Sequence, residues 1–216
     1  MAGLVIFDCD GVLVDSERLV QVVDMRMISA LGWPITEQEI FDQHLGRSWD
    51  DVRANIESRI ASPLPATFAE EKDAAYLEVF TNELLPIDGV REAILELHDR
   101  GWATCVGSSS SHDRLRLTLG LTDLLPLFDE RIFSAQDVLN GKPAPDLFLH
   151  AASRMDARID ETIVVEDSPS GVDAARAAGM RVIGYAGQTP RRLIADAHVL
   201  IDDMGELVTA VQSLVE

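Results

Sequence analysis

Two aspartates one residue apart close an apolar run: residues 4 to 15 read Leu-Val-Ile-Phe-Asp-Cys-Asp-Gly-Val-Leu-Val-Asp. The run has the length and composition of a buried strand. Side chains alternate faces along an extended chain, so Asp8 and Asp10 are expected to point the same way at its carboxyl end. Carboxylates held that close repel each other. A bound cation or a proton on one of them relieves the repulsion, and either turns the pair into chemistry rather than packing. Gly11 lets the chain leave the strand through a turn that a side chain would obstruct.

The elements that must position this pair are read from periodicity. Leu19, Val23, Met27, Ala30 and Leu31 recur at helical spacing until Gly32-Trp33-Pro34 stops the run. Capping boxes are expected at Thr36 to Glu39 and at Thr67 to Glu70, with a weaker one at Ser48 to Asp51. Residues 16 to about 84 therefore read as a bundle of roughly four short helices without a strand. From Pro86 helices and strands alternate. Helices are expected over 90–99, 112–119 (closed by Gly120), 146–155, 168–178 (closed by Gly179) and 206–214. Strands are expected over 102–106, 131–134, 162–165 and 181–185, and around Leu200. This alternation predicts an α/β fold, a Rossmann-like parallel sheet with helices on both faces and ligands at the carboxyl ends of its strands. Residues 1–15 and 86–216 would form that core, and 16–85 an inserted α-helical domain.

The residues at the ends of the predicted strands form a consistent set. The first strand ends in Asp8 and Asp10, the second in Gly107 and the serines Ser108, Ser109, Ser110 and Ser111, and a later one in Glu166-Asp167-Ser168. Lys142 lies in Asn140-Gly141-Lys142-Pro143, between turn formers that fix its direction. Alone, each has an ordinary structural explanation: aspartate and serine favour turns, a lysine before proline is a loop lysine, and an acidic pair can open a helix. Together they converge on one edge of one sheet, which marks a site. Carboxylates suit a hard cation such as Mg²⁺, and hydroxyls with amides at a helix start suit phosphate oxygens. Metal, anion cradle and lysine are the parts that phosphoryl transfer needs.

Composition bounds the partners. With 216 residues, 47% of them hydrophobic, the chain can bury a sizeable core. Thirty-seven acidic against 18 basic residues give a formal charge of −19, which argues against nucleic acid or an anionic membrane as partner. No basic flank with an extended apolar region is seen, so a cytoplasmic protein without a membrane span is expected. Cys9 and Cys105 are too few for a disulfide framework or a CxxC zinc site, and are expected as reduced core residues in strands.

These residues also resemble the haloacid dehalogenase superfamily of aspartate-nucleophile phosphotransferases, over essentially the whole chain. The segment from Asp8 to Glu17 looks like its first motif and Ser108 its second. Lys142-Pro143 looks like the third, and Glu166-Asp167-Ser168 with Gly171 and Ala174-Ala175 the fourth. An insert between the first two motifs is similar to the subgroup with an α-helical cap domain, in its β-phosphoglucomutase and sugar-phosphate phosphatase branch. The resemblance implies that Asp8 is the nucleophile that becomes an aspartyl phosphate, and that Asp10 is the acid and base. It implies Mg²⁺ held by Asp8, the Asp10 backbone carbonyl and Asp167, with Glu166 supporting its water shell. Ser108, Ser109 and Lys142 would hold the phosphoryl oxygens. In the cap, Gly46, Arg47 and Ser48 resemble a substrate loop, with Arg47 placed to take a second anionic group. The implied activity is Mg-dependent hydrolysis of a small phosphorylated metabolite, a phosphosugar or sugar acid such as 6-phosphogluconate.

Rival activities are weighed on single residues. Dehalogenases of the superfamily lack the acid two residues after the nucleophile, which this chain carries as Asp10. β-Phosphoglucomutases carry a cap histidine where this chain has Val20, and a Gly-x-Ser-Arg loop where it reads Gly46-Arg47-Ser48-Trp49. Hydrolysis is therefore expected over isomerisation. Trp49 reads as a core anchor and Lys72 as part of a solvated helix face. A non-catalytic phosphometabolite-binding module is the alternative of another class, and it would not require nucleophile and acid together.

Overall fold

The computed structural model describes residues 3–44 and 49–215, the side chains of residues 41 and 42 excepted. The chain divides into two compact units, Met1–Asp15 with Leu85–Glu216, and Ser16–Leu84.

The larger unit is built on a six-stranded sheet of order β3-β2-β1-β4-β5-β6. Its strands are β1 Gly3–Phe7, β2 Trp102–Ser108, β3 Ile132–Ser134, β4 Thr162–Glu166, β5 Arg181–Tyr185 and β6 Val199–Ile201. Every neighbouring pair is parallel. Leu4, Val5, Ile6 and Phe7 are all buried, so β1 is covered on both faces, which is why it reads as a continuous apolar run. Strand order departs from β1 in both directions, through β2 to one edge and through β4 to the other. The cleft for a ligand in such a sheet lies at the carboxyl ends of the strands flanking that reversal. The register Phe7↔Val106 and Phe7↔Val165 brings the ends of β1, β2 and β4 to one level.

The smaller unit consists of α1 Ser16–Ala30, α2 Glu37–Gln43, α3 Trp49–Ile60 and α4 Phe68–Glu83. Ile28, Trp33, Ile35, Ile40, Ile56 and Phe68 form its core cluster. The stripe of α1 ends on Ile28 rather than on Ala30, which is exposed. Thr36 caps α2 by a reciprocal box: its hydroxyl accepts from the Glu39 amide at 3.2 Å, and Glu39 accepts from the Thr36 amide at 2.9 Å. Thr67 makes no such cap, because its backbone is already in the right-handed helical region (ψ −7°) and its side chain makes no capping hydrogen bond. Trp49, expected as a core anchor, is 38% exposed. It stacks on Phe68 and carries the Lys72 ammonium 4.1 Å from its ring centre, so Lys72 covers an aromatic face rather than extending from a bare helix side.

The remaining helices belong to the sheet-bearing unit: α5 Val90–Asp99, α6 His112–Leu121, α7 Leu125–Phe128, α8 Asp146–Arg154, α9 Pro169–Ala177 and α10 Leu207–Val215. Val90, Ala93, Ile94 and Leu97 bury the i, i+3, i+4, i+7 face of α5. Gly120 does not end α6, which runs on to Leu121; the left-handed turn after it is taken by Asp123 (φ 57°). No helix among the described residues is long and apolar enough to cross a membrane.

Candidate active site

Asp8 stands one residue beyond β1. Its amide donates to the Val165 carbonyl at 2.9 Å, which carries the ladder one step past the strand and sets Asp8 beside the end of β4. There Glu166 is the last strand residue and Asp167 the next, both buried. The Lys142 ammonium, on a side chain only 3% exposed, donates to Asp8 Oδ1 at 2.6 Å and to Glu166 Oε1 at 2.5 Å. The other Glu166 oxygen accepts from the Ser168 amide and hydroxyl, each at 2.9 Å, so this carboxylate is tied on both sides. Asp167 Oδ2 accepts a longer bond, 3.4 Å, from the Thr189 hydroxyl.

Burial is the largest influence on Asp8 and pushes its carboxyl up to about 7; the Lys142 charge opposes that rise, and the Glu166 and Asp10 charges add to it. Burial would lower Lys142, but the facing Asp8 and Glu166 carboxylates hold it above the ordinary lysine range. Asp8, Glu166 and Asp167 each offer an oxygen within 4.8 Å of the others. Three buried carboxyl groups face one buried ammonium in this cluster, so acidic groups outnumber basic ones there. A hard divalent cation such as Mg²⁺ fits that donor set and that acidic excess.

The chain around the cluster leaves no room for side chains. A Cβ on Gly11, whose φ is +78°, would lie 2.2 Å from Asp167 Oδ2, and one on Gly171 would lie 1.8 Å from Glu166 Oε1. Helix α9 can thus approach Glu166 only with glycine at its third position. Gly171→Ala is expected to force Glu166 off Lys142 and Ser168, costing about 1–3 kcal/mol of stability and a larger share of activity. Denaturant unfolding and turnover of the purified variant check both. Wild-type behaviour in both would mean the carboxylate has slack that the packing does not show.

Asp10 departs from the expected geometry. Extended backbone ends at Phe7, and the amides of Leu13 and Val14 return to the Cys9 carbonyl, so the chain already turns at Cys9. Cys9 therefore lies in a bend and not in a strand, although it is buried like Cys105, and burial pushes both thiols up. Asp8 and Asp10 meet different partners in consequence. Asp10 Oδ2 accepts from the Ser110 hydroxyl at 2.7 Å, and Oδ1 accepts from Arg114 Nη2 at 3.1 Å. Each aspartate of the pair thus has a cation of its own.

The serine loop divides its tasks. Ser108 ends β2, buried, and its hydroxyl accepts from the Ser110 amide at 3.2 Å; Ser109 is exposed; Ser111 caps α6 by accepting from the Arg114 amide at 3.3 Å. Gly46, Arg47 and Ser48 lie outside the described residues. Sequence pattern alone does not give Ser110 and Arg114 as partners of Asp10. A usable signal existed: Ser111 as N-cap puts residue 114 in the first turn of the helix that leaves the serine loop.

A parallel α/β sheet with aspartates, a buried lysine and a buried acidic pair gathered beside the ends of β1 and β4 has the layout of an active site that suits phosphoryl chemistry. The sequence comparisons agree with this class. Residues 5–185 match the haloacid dehalogenase-like hydrolases, and the chain belongs to that family. It is 28% identical over 196 residues to the 6-phosphogluconate phosphatase of Escherichia coli, covering 90% of this chain and 87% of that protein. It is 31% identical over 189 residues to the phosphorylated carbohydrates phosphatase of Thermotoga maritima, covering 83% and 82% respectively. Among solved structures, a haloacid dehalogenase-like protein of unknown function from Agrobacterium tumefaciens superposes with a TM-score of 0.88 at 36% identity, over 99% of each chain.

Proposed function

We propose that this protein is an Mg²⁺-dependent phosphatase of small phosphorylated sugars or sugar acids, acting through an aspartyl phosphate on Asp8. The observation that carries the reading is the Lys142 ammonium bridging Asp8 and Glu166 in a buried acidic cluster. A carboxylate so placed is oriented and kept from solvent, and attack by it divides one hard hydrolysis into two easier displacements. Lys142 balances negative charge beside the reacting centre, and Ser108 and Ser109 supply donors for phosphoryl oxygens. Asp10 gives a proton to the departing sugar oxygen and later takes one from the attacking water. Asp8, Asp167 and the Asp10 backbone carbonyl would hold Mg²⁺, with Glu166 behind them; when bound, the ion neutralises charge on the transferring group. Residues 16–85 are read as the unit that selects the substrate, through Gly46, Arg47 and Ser48, in a cytoplasmic enzyme.

The phosphatase relatives support hydrolysis, and Val20 and Trp49 stand where a mutase of the branch has other residues. The test is a panel of phosphate monoesters, including 6-phosphogluconate and β-glucose 1-phosphate, assayed with Mg²⁺ and in chelator. Release of inorganic phosphate from a phosphosugar, lost at least about 10²-fold in chelator and restored by Mg²⁺, is expected. Conversion of β-glucose 1-phosphate to glucose 6-phosphate at a comparable rate would favour the mutase. Binding without turnover of any ester would favour the non-catalytic module.

A further inference from the structure

We infer that Arg114, acting with Ser110, is the positioning residue that orients the Asp10 carboxyl for proton transfer, which rests on the acid and base role proposed for Asp10. Asp10 pairs with Val14 in an isolated bridge, next to a glycine with left-handed φ, so the hydrogen bonds of this turn hold its backbone and do not by themselves orient its carboxyl. Two donors from another part of the chain do so instead, the Ser110 hydroxyl on Oδ2 at 2.7 Å and the Arg114 guanidinium on Oδ1 at 3.1 Å.

Arg114 is itself firmly placed. Its amide donates to the Ser111 cap, its carbonyl accepts from the Thr118 hydroxyl at 3.0 Å, and Leu115 and Thr118 are buried beside it. The two donors also differ in kind. A guanidinium can only donate, so Oδ1 remains an acceptor, while a hydroxyl both donates and accepts. The geometry therefore presents Oδ2, the oxygen next to Ser110, for proton exchange. Stability is not the reason for this ion pair: its side chains are 32% and 22% exposed, and such pairs contribute about 1 kcal/mol or less.

The test uses purified full-length protein with p-nitrophenyl phosphate and phenyl phosphate, esters of similar shape whose leaving groups differ in their need for a proton. Arg114→Ala should lower kcat for phenyl phosphate about 10–100-fold with KM within about twofold, since a misplaced catalytic group costs that order. The loss with p-nitrophenyl phosphate should be distinctly smaller, because nitrophenolate departs without much help. Arg114→Lys should recover part of the rate. In an Asp10→Asn background, Arg114→Ala should add nothing. A raised KM with unchanged kcat, equal losses with both esters, or additivity with Asp10→Asn would overturn the inference. So would wild-type rates in Arg114→Ala while Asp10→Asn is inactive. Wild-type turnover by Asp10→Asn would instead refute the acid and base role itself. Should Arg114→Ala fold poorly, Arg114→Met keeps the stem and answers the same question.

Discussion

Asp8→Asn should abolish turnover, by about 10⁴-fold or more, and leave the fold intact. The loss is of the order seen when a covalent nucleophile is removed from a site whose other groups remain. An amide of the same shape can still accept from Lys142 through its oxygen, at the position where Asp8 Oδ1 stands 2.6 Å from the ammonium, but it is no nucleophile toward phosphorus. The fold should not suffer. Asp8 is one of three carboxylates crowded within 4.8 Å, and its carboxyl is pushed up to about 7 chiefly by burial, so removing its charge relieves repulsion. Melting without Mg²⁺ should therefore come at the wild-type temperature or above it. Mass spectrometry must verify that the preparation holds Asn, because slow deamidation would restore the enzyme. Verified Asp8→Asn protein that still turns over phosphate esters would remove Asp8 as nucleophile and move attention to a directly attacking water.

How much of this site could be read from the sequence depends on how local its physics is. The Thr36 to Glu39 box is legible because both hydrogen bonds close within one turn, and the β5 bounds are legible because a buried parallel strand is an apolar run between breakers. The convergence of Asp8, Glu166 and Asp167 comes from alternation alone, since any parallel arrangement brings strand ends to one edge. The direction of Asp10 does not. Period-2 reasoning requires extended backbone through residue 10, and the chain turns at Cys9 because the four amides of Gly11, Val12, Leu13 and Val14 find carbonyls there or at Val14. Gly120 fails as a stop for a similar reason: glycine permits a left-handed turn but does not impose one. Ser110 and Arg114 meet Asp10 across 100 and 104 residues, a contact set by how α6 docks against the sheet, which no window of sequence contains.

Lys142→Met tests the electrostatic arrangement as a whole. The substitution keeps an unbranched side chain of comparable length but removes the ammonium that bridges Asp8 at 2.6 Å and Glu166 at 2.5 Å. Glu166 is fully buried, and its remaining partners, the Ser168 amide and hydroxyl, carry no charge. Breaking a buried pair by removing one partner leaves an uncompensated charge, at a cost of about 3–5 kcal/mol. That is a large part of the stability of an ordinary domain. Mg²⁺ should return some of it, because Asp8 is a proposed ligand with Glu166 standing behind the ion, and the variant has no ammonium to offset the acidic groups of the cluster. Denaturant unfolding with Mg²⁺ and with chelator reads this as a gap between the two curves that is wider in the variant than in the wild type. Turnover should fall about 10²–10³-fold even at saturating Mg²⁺, since the lost ammonium is a preorganised charge beside the phosphoryl group. An equal Mg²⁺ stabilisation in variant and wild type would mean that the ion, if bound, sits away from these carboxylates. Full stability in chelator would mean that Glu166 and Asp8 do not share their charge in the folded protein, and the bridge would then be removed from the account of both fold and chemistry.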